Sequence, residues 1–509
     1  MGSAEEILES HGSDDLFYYT QVALHWFKDG VPSIDGLHPT TGFQPLFALL
    51  LMPASGGFTG DTLFSLRVTL GLASLLTLVL AWSCPGLMVR WLGQAWGKPA
   101  GTLLGCLFLL HPRWLELEFS GTEAALAALA WVWSLRFWSR EFSSRKGLLG
   151  LGFILGLGTL ARVDHVFLAF ILVLVPYGRS QFGWFQRSWL VLVGWLCIFA
   201  PWILFCVAIT GSPLQDSGQA KRLQYQHIHH QSIQQEKVAQ NRQGDQWVVL
   251  SYWMERFKSL PQPLVRYKGR LQVASLVGWA LLTGLLGVLW VQKRRNFTLF
   301  KPFAGLTFAA GTLLMAYGVL YGYLRAWYYV PAHVLLSAVC ASAWVWCWQH
   351  AKNPLRWVLA IGMLVWVGSW IVAIQQPTGF AWEPIYLRGA RELQAEVPGG
   401  ARIGAFNAGI QTVVAGENYV VINLDGVVNH QALRALQNRE LVKFLAESKV
   451  QYLIDHRSAL DFYQSLGGPE LGRSVELLRA INLPQLPGQE LCLWRLNLND
   501  PANSISDSF

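Results

Sequence analysis

The sequence predicts a polytopic α-helical membrane protein of about ten spans, followed by a small C-terminal α/β domain on the outer face. Three observations carry this. The 509 residues are 53% hydrophobic and only 14% charged, with a mean hydropathy of +0.32, where soluble globular chains carry about 25% charged residues. Apolar runs recur between residues 63 and 375. From residue 376 onward the pattern changes to short β-type runs around an amphipathic helix. The 25 Trp residues agree, since Trp is enriched where a membrane meets water.

The runs fall at 63–83, 99–112, 119–138, 147–161, 163–177, 188–210, 271–292, 302–322, 328–348 and 356–375. Several are shorter than the roughly 20 residues that a span needs, so they extend into their flanks. If the runs alternate in direction, one set of loops carries Arg90 and Lys98; Arg136, Arg140, Arg145 and Lys146; Arg179 and Arg187; Lys293, Arg294, Arg295 and Lys301; and Lys352 and Arg356. The short loops on the other side hold only Arg113, Arg162 and Arg325. The positive-inside rule makes the first side cytoplasmic. The net charge of +8 is therefore an orientation signal, and no nucleic-acid partner is expected. The N-terminal segment (1–62), a long loop at 211–270 and the C-terminal domain (376–509) then share the outer side of a 63–375 bundle, which predicts an integral plasma (inner) membrane protein with its site on the periplasmic or extracellular face.

Residues 43–57 (FQPLFALLLMPASGG) are apolar but too short to span, and are read as a re-entrant or interfacial segment. In GLLGLGFILGLG (147–158) the glycines either allow close helix packing or are merely tolerated in a membrane helix. In the tail, ARIGAFNAG, YVVINLDG and VQYLIDH read as strands, and HQALRALQNRELVKFLAESK (430–449) as one amphipathic helix; no phosphate-binding glycine fingerprint is present. The seven cysteines (84, 106, 197, 206, 340, 347 and 492) contain no CxxC and read as small buried hydrophobes.

Two adjacent carboxylates, Asp14 and Asp15, open a helical pattern in which Leu16, Tyr19, Ala23, Trp26 and Phe27 share a face. Either acid, or Ser13, can cap that helix. Other ionisable groups converge on the same expected face: His38 in SIDGLHPTTGFQPLF, Glu118 and Glu123 in EFSGTEAALAAL, Arg162, Asp164 and His165 in LARVDHVFLAF, Lys221 and Arg222 in GSPLQDSGQAKR, and Arg325 in YLRAWYYVP. Ionisable residues at membrane depth are costly and usually functional. Acids and bases together suit a site that handles an anion and also needs a base. Blander readings stand beside this one: Arg162 pairing with Asp164, Arg325 snorkelling to the interface, Glu123 as a first-turn helix acid, and His38 as a solvated turn residue. QHIHHQ (226–231) reads as a flexible polar loop, since His227, His229 and His230 lack a clear fourth metal ligand.

DDLFYY followed by GLHPTTGFQPLF resembles the aspartate-bearing first outer loop of bacterial membrane glycosyltransferases of the GT-C superfamily, of the protein mannosyltransferase and aminoarabinose transferase type. SGTEAALAAL, LGTLARVDHVFL, GSPLQDSGQAK, RAWYYVP and INLDGVVN are similar to further segments of a bacterial branch. The resemblance implies a polyprenyl-phosphate sugar donor, a lipid, glycan or protein acceptor, and inverting transfer at the outer face. It implies Asp14 or Asp15 as the base, with Asp14 preferred. The other acid would orient the acceptor, cap the helix or help bind a divalent metal ion. Lys221, Arg222, Arg325 and Arg162 are then the candidates for the donor phosphate, and His38, Glu123, Tyr18 and Tyr328 for substrate contact. The sequence departs from the family in one respect: only MGSAEEILESHGS precedes the acids, where the family places a first transmembrane helix. A lipid or sugar transporter and a non-catalytic glycan-binding scaffold are the competing classes. Neither an internal repeat nor midplane charges favour the transporter.

Overall fold

The computed structural model describes residues 14–57, 62–110, 121–140, 142, 144–174, 182–240, 330–350, some positions within 353–368, and 383–497 except 417, 469 and 483–489. The runs at 271–292 and 302–322, and Arg325 and Tyr328, lie outside these residues.

Helix α1 (Asp14–Asp29) opens with two acids at its positive end and closes with Lys28 in its last turn, both favoured by the helix dipole. Its residues from Leu16 to Ala23 are buried on every side, so it is a core element and not the one-faced helix of the periodicity. The reason is its position. Tyr19, Val22 and Ala23 pack on the helical bundle, while Leu16, Phe17 and Tyr18 pack on the C-terminal domain. The apolar 43–57 segment forms α2 (Pro45–Gly57), a helix of 13 residues packed against α1.

The bundle continues with α3 (Thr62–Leu92), α4 (Gln94–Leu110), α5 (Ala124–Trp138), α6 (Arg145–Ala161), a 3-10 turn (Val163–His165), α7 (Val166–Leu174), α8 (Trp184–Thr210) and α10 (Val330–His350), with α9 (Asp216–Gln240) between the last two in sequence. By length and composition, two described helices are apolar and long enough to cross a bilayer, Phe64–Leu92 and Trp184–Thr210. Their outward faces carry exposed Leu75, Leu78 and Trp82 on α3, and Trp189, Leu196 and Leu204 on α8. A helix facing water would be polar there.

Glycines set two of the helix contacts. A Cβ at Gly97, Gly101 or Gly105 of α4 would strike the backbone of α3 at Val89, Pro85 or Ala81. Gly152 of α6 and Gly194 of α8 approach each other in the same way, and Gly156 lies against Ile198. Close packing, not tolerance, is therefore the role of these two glycines in the 147–158 run.

The 211–270 region is not a plain loop. Within it α9 runs for 25 residues, because the straight-chain residues after Gly218 favour a helix and Asp216 stands in its first turn. The His-rich 226–231 stretch is part of that helix, and His227 lies on the C-terminal domain, with Nε2 2.8 Å from Ser465 Oγ and its ring against Phe462.

The C-terminal domain contains α11 (Glu383–Gln394), β1 (Arg402–Ala405), α12 (Ala408–Ala415), β2 (Val420–Asn423), α13 (His430–Asn438), α14 (Leu441–Glu447), β3 (Tyr452–His456), α15 (Arg457–Gly467), α16 (Glu470–Arg473), β4 (Val475–Asn482) and β5 (Glu490–Leu496). The sheet order is β2-β1-β3-β5-β4. β1 pairs parallel with β2 and β3, and β5 runs antiparallel to β3 and β4. The helix expected over 430–449 is two helices, broken where Arg439 takes a left-handed φ of 61°. The chain steps from β1 outward to β2 and returns on the other side of β1 for β3. The carboxyl ends of β1 and β3 therefore open on a topological switch point, where open α/β sheets hold ligands.

Candidate active site

The two acids of α1 face different surroundings. Asp14 Oδ1 accepts the backbone N–H of Ile410 at 3.2 Å. Ile410 lies in the first turn of α12, whose N-cap residue, Asn407, makes no side-chain cap. Asp14 thus caps a helix that lies almost 400 residues away in sequence. The fit depends on Gly409, where a Cβ would overlap the Asp14 carboxylate. As a residue Asp14 is half-buried, but its carboxyl group is withdrawn from water. Burial, together with the nearby charges of Asp15 and Asp425 and against the opposing effects of the Tyr18 hydroxyl and the Ile410 N–H, pushes its pKa up to about 7. Tyr18 stands against the same carboxyl without a hydrogen bond of ordinary geometry, and burial and the two acids push its phenol well up.

Asp425 follows β2 and closes a turn by accepting the Val427 N–H at 2.8 Å. Burial raises its pKa in spite of the Lys221 ammonium nearby. Lys221 donates to Gln224 Oε1 at 3.2 Å, and Gln224 reaches the Asp425 carbonyl and the Tyr463 hydroxyl. Asp455, at the end of β3, accepts the N–H groups of Phe406 and Asn407 at 2.7 and 2.8 Å. Asp14, Tyr18, Lys221, Asp425 and Asp455 therefore gather at the carboxyl end of the parallel strands. Arg222, one residue on, is exposed.

Asp15 is half-buried, and among the described residues its carboxylate makes no hydrogen bond or ion pair. Its charge acts on Tyr19 and Glu123. Glu123 holds the N-cap position of α5 but makes no cap. Its carboxylate instead accepts from the Tyr19 hydroxyl at 2.8 Å and from Arg162. The same guanidinium donates through Nε to Asp164 at 2.6 Å. All three members of this ion network are nearly closed to solvent. The backbone serves it too: Arg162 takes an extended conformation at the end of α6, and the next N–H, of Val163, donates to Gln44 Oε1 at 3.0 Å. The Arg162–Asp164 hairpin pair expected from sequence is present, extended to Glu123.

His38 is placed elsewhere. Its Nδ1 lies 2.7 Å from Asp35 Oδ2, its Nε2 3.4 Å from Ser448 Oγ, and its ring against Phe444. Burial of Asp35 opposes its ionisation, but the His38 ring and the N–H groups of His38 and Leu37 outweigh it and hold the carboxyl below its ordinary value. Asp216 works alongside: it accepts the Thr41 N–H at 2.8 Å and meets His430 Nδ1 at 2.8 Å. These contacts fasten the 30s loop and α9 to the C-terminal domain and leave His38 enclosed, not solvated.

The structure thus brings Tyr19, Glu123 and Arg162 together with Asp15 beside them, and sets Asp14 and Tyr18 near Asp425, which Lys221 also faces. Among the described residues no three His, Cys, Asp or Glu side chains stand where they could jointly hold a metal ion. Asp216, Asp425 and Gln44 were not singled out from sequence. Asp425 carried a signal, an acid and a glycine directly after a strand-like apolar run; Gln44 carried none.

No family model and no curated protein matches the chain. The solved structures to which it is similar include three at low identity. The first is ArnT from Cupriavidus metallidurans bound to undecaprenyl phosphate, with 15% identity, 87% of this chain and 77% of that chain covered, and a TM-score of 0.45. The second is the oligosaccharyltransferase of Archaeoglobus fulgidus in the apo form, with 14% identity, 92% and 69% covered, and a TM-score of 0.49. The third is the oligosaccharyltransferase AglB of the same organism with an inhibitory peptide and a dolichol-phosphate, with 13% identity, 92% and 69% covered, and a TM-score of 0.48.

Proposed function

We propose that the chain is an inverting membrane glycosyltransferase that moves a sugar from a polyprenyl-phosphate donor to a hydroxyl of a lipid, glycan or protein acceptor at the outer face of the plasma membrane. The observation that carries the reading is the environment of Asp15. Its carboxylate makes no hydrogen bond or ion pair among the described residues, and it lies beside a closed ion network that fixes its surroundings. A general base has to be ionised and within reach of its proton, and fixed neighbours keep it in place.

In the step proposed, Asp15 takes the proton of the acceptor hydroxyl as its oxygen attacks the anomeric carbon. The new carbon–oxygen bond forms on the face opposite the departing phosphate. The bond to the phosphate oxygen breaks, and the lipid phosphate leaves with the electron pair. Its charge calls for cationic donors. Lys221 and the exposed Arg222 are the described candidates, with Arg325 a further one from sequence. Arg162 is already committed to Glu123 and Asp164, so its part is to hold the network. Glu123 and Tyr18 then support the acids, and His38 fastens the loop, instead of touching substrate.

The test is transfer from a panel of labelled polyprenyl-phosphate sugars in membranes that contain the full chain, with the anomeric configuration of the product determined. Transfer with inversion supports the reading. Movement of the donor across the bilayer without transfer points to a transporter, and glycan binding without turnover to a scaffold.

A further inference from the structure

We infer that the C-terminal α/β domain is a positioning element of the proposed active site, and that it acts by holding Asp14 on the open N-terminus of α12 so that Asp15 is set toward Glu123 and Arg162. The inference rests on the reading of Asp15 as the base. It makes Asp14 a positioning residue, which is the reverse of the preference that the sequence alone suggests.

Three observations support it. First, the bond is specific: the Asp14 carboxyl accepts the Ile410 N–H, and it rests against Gly409 where a Cβ would overlap it. Second, the place is the switch point of the sheet, beside the carboxyl end of β1, where a free-standing domain of this topology would hold a ligand anion. Here a carboxyl group of the same chain fills that place. Third, α1 is continuous through the two acids. Leu16, Phe17 and Tyr18 pack on the C-terminal domain, and Tyr19 packs on the bundle and donates to Glu123. A shift of Asp14 off α12 would therefore turn the first helical turn, and Asp15 with it.

The test uses the full chain in nanodiscs. In Gly409→Ala the new methyl group expels the carboxylate, and in Asp14→Ala the acceptor is gone. Both are expected to lower kcat at least tenfold while the KM for the donor moves less than threefold. In Asp14→Asn the amide oxygen still accepts the Ile410 N–H, so at least a third of kcat should be rescued. Hydrogen exchange over residues 408–415 at pH 4, where the docked Asp14 carboxyl is protonated and matches the neutral amide, reads the clasp without activity: protection should fall at least tenfold in Gly409→Ala and Asp14→Ala, and stay within threefold in Asp14→Asn. Full transfer by Asp14→Ala with protection lost would overturn the inference. So would equal loss in Asp14→Asn and Asp14→Ala, which would make the Asp14 carboxylate itself chemical. If Gly409→Ala does not fold, the two Asp14 variants decide alone. A wild type that transfers no sugar from any donor removes the proposed function, and with it the role for the clasp in positioning, while the exchange measurement still shows whether the clasp exists.

Discussion

Replacing Arg162 with Met is the sharpest test of how the site is held. Arg162 is 5% exposed, and its guanidinium bridges two carboxylates, through Nε to Asp164 at 2.6 Å and through a terminal nitrogen to Glu123. Met keeps much of the volume and removes the charge and both bonds. Glu123 retains the Tyr19 hydroxyl at 2.8 Å, whereas two carboxylates are left closed off from water without a cation. Removing one partner of a buried pair costs about 3–5 kcal/mol. Uptake of a proton by one of the carboxyls limits the loss, so about 4 kcal/mol is expected. The assay is the free energy of unfolding in mixed micelles titrated with denaturing detergent, followed by Trp fluorescence. A triple variant that adds Glu123→Gln and Asp164→Asn removes the stranded charges and should recover at least half of the loss, because the three residues act as one unit. A single variant within about 1 kcal/mol of wild type, or a triple variant no better than the single, would refute the network as the site's support.

Other expectations are as direct. Asp14 has a carboxyl pKa of about 7 in the docked domain against 3.8 for an exposed group, so its effect on docking is absent below 3.8, and docking weakens by up to tenfold per pH unit from there to about 7, then levels off. The groups facing it are Asp15 and Tyr18 of α1, the Ile410 N–H of α12 and Asp425 after β2, with Lys221 beside Asp425. Exchange protection at 408–415, corrected for intrinsic rates, should follow that slope in wild type and be flat in Asp14→Asn. Asp216→Ala strands the Thr41 N–H and the His430 ring inside the interface and should cost about 3 kcal/mol, seen as faster proteolysis between α9 and the C-terminal domain. Gly101→Leu drives a side chain into the α3 backbone at Pro85 and should abolish the folded yield, while Gly150→Leu, which meets open space, should leave it unchanged.

Much of this architecture is legible in the sequence because it rests on local pattern. Apolar length marks the long helices, and the alternation of strand and helix marks the C-terminal domain. That 43–57 is too short to span follows from its length alone, and it forms a helix of 13 residues. What escapes local pattern is long-range. The capping of α12 by Asp14 joins residues at opposite ends of the chain, and nothing near either one announces it. The polar 216–240 stretch lacks the apolar periodicity that reveals a helix, yet it folds as one along the C-terminal domain. Arg439 splits the 430–449 helix although its sequence period runs on. β5 and the edge strand β4 escape local pattern because β4 carries no buried face of its own and is held by its antiparallel pairing with β5. The Arg162–Asp164 pair was readable from its spacing, whereas the third member, Glu123, comes from another helix.

The central claim is that Asp15 is the base of a sugar transfer for which Asp14 is the anchor. Initial rates of transfer from the active polyprenyl-phosphate donor, measured side by side for wild type, Asp15→Asn and Asp14→Asn with equal amounts of folded protein, test it most directly. The account predicts loss of at least a thousandfold in Asp15→Asn and no more than threefold in Asp14→Asn. Full activity in Asp15→Asn, with Asp14→Asn inactive, would contradict it and return the chemistry to Asp14.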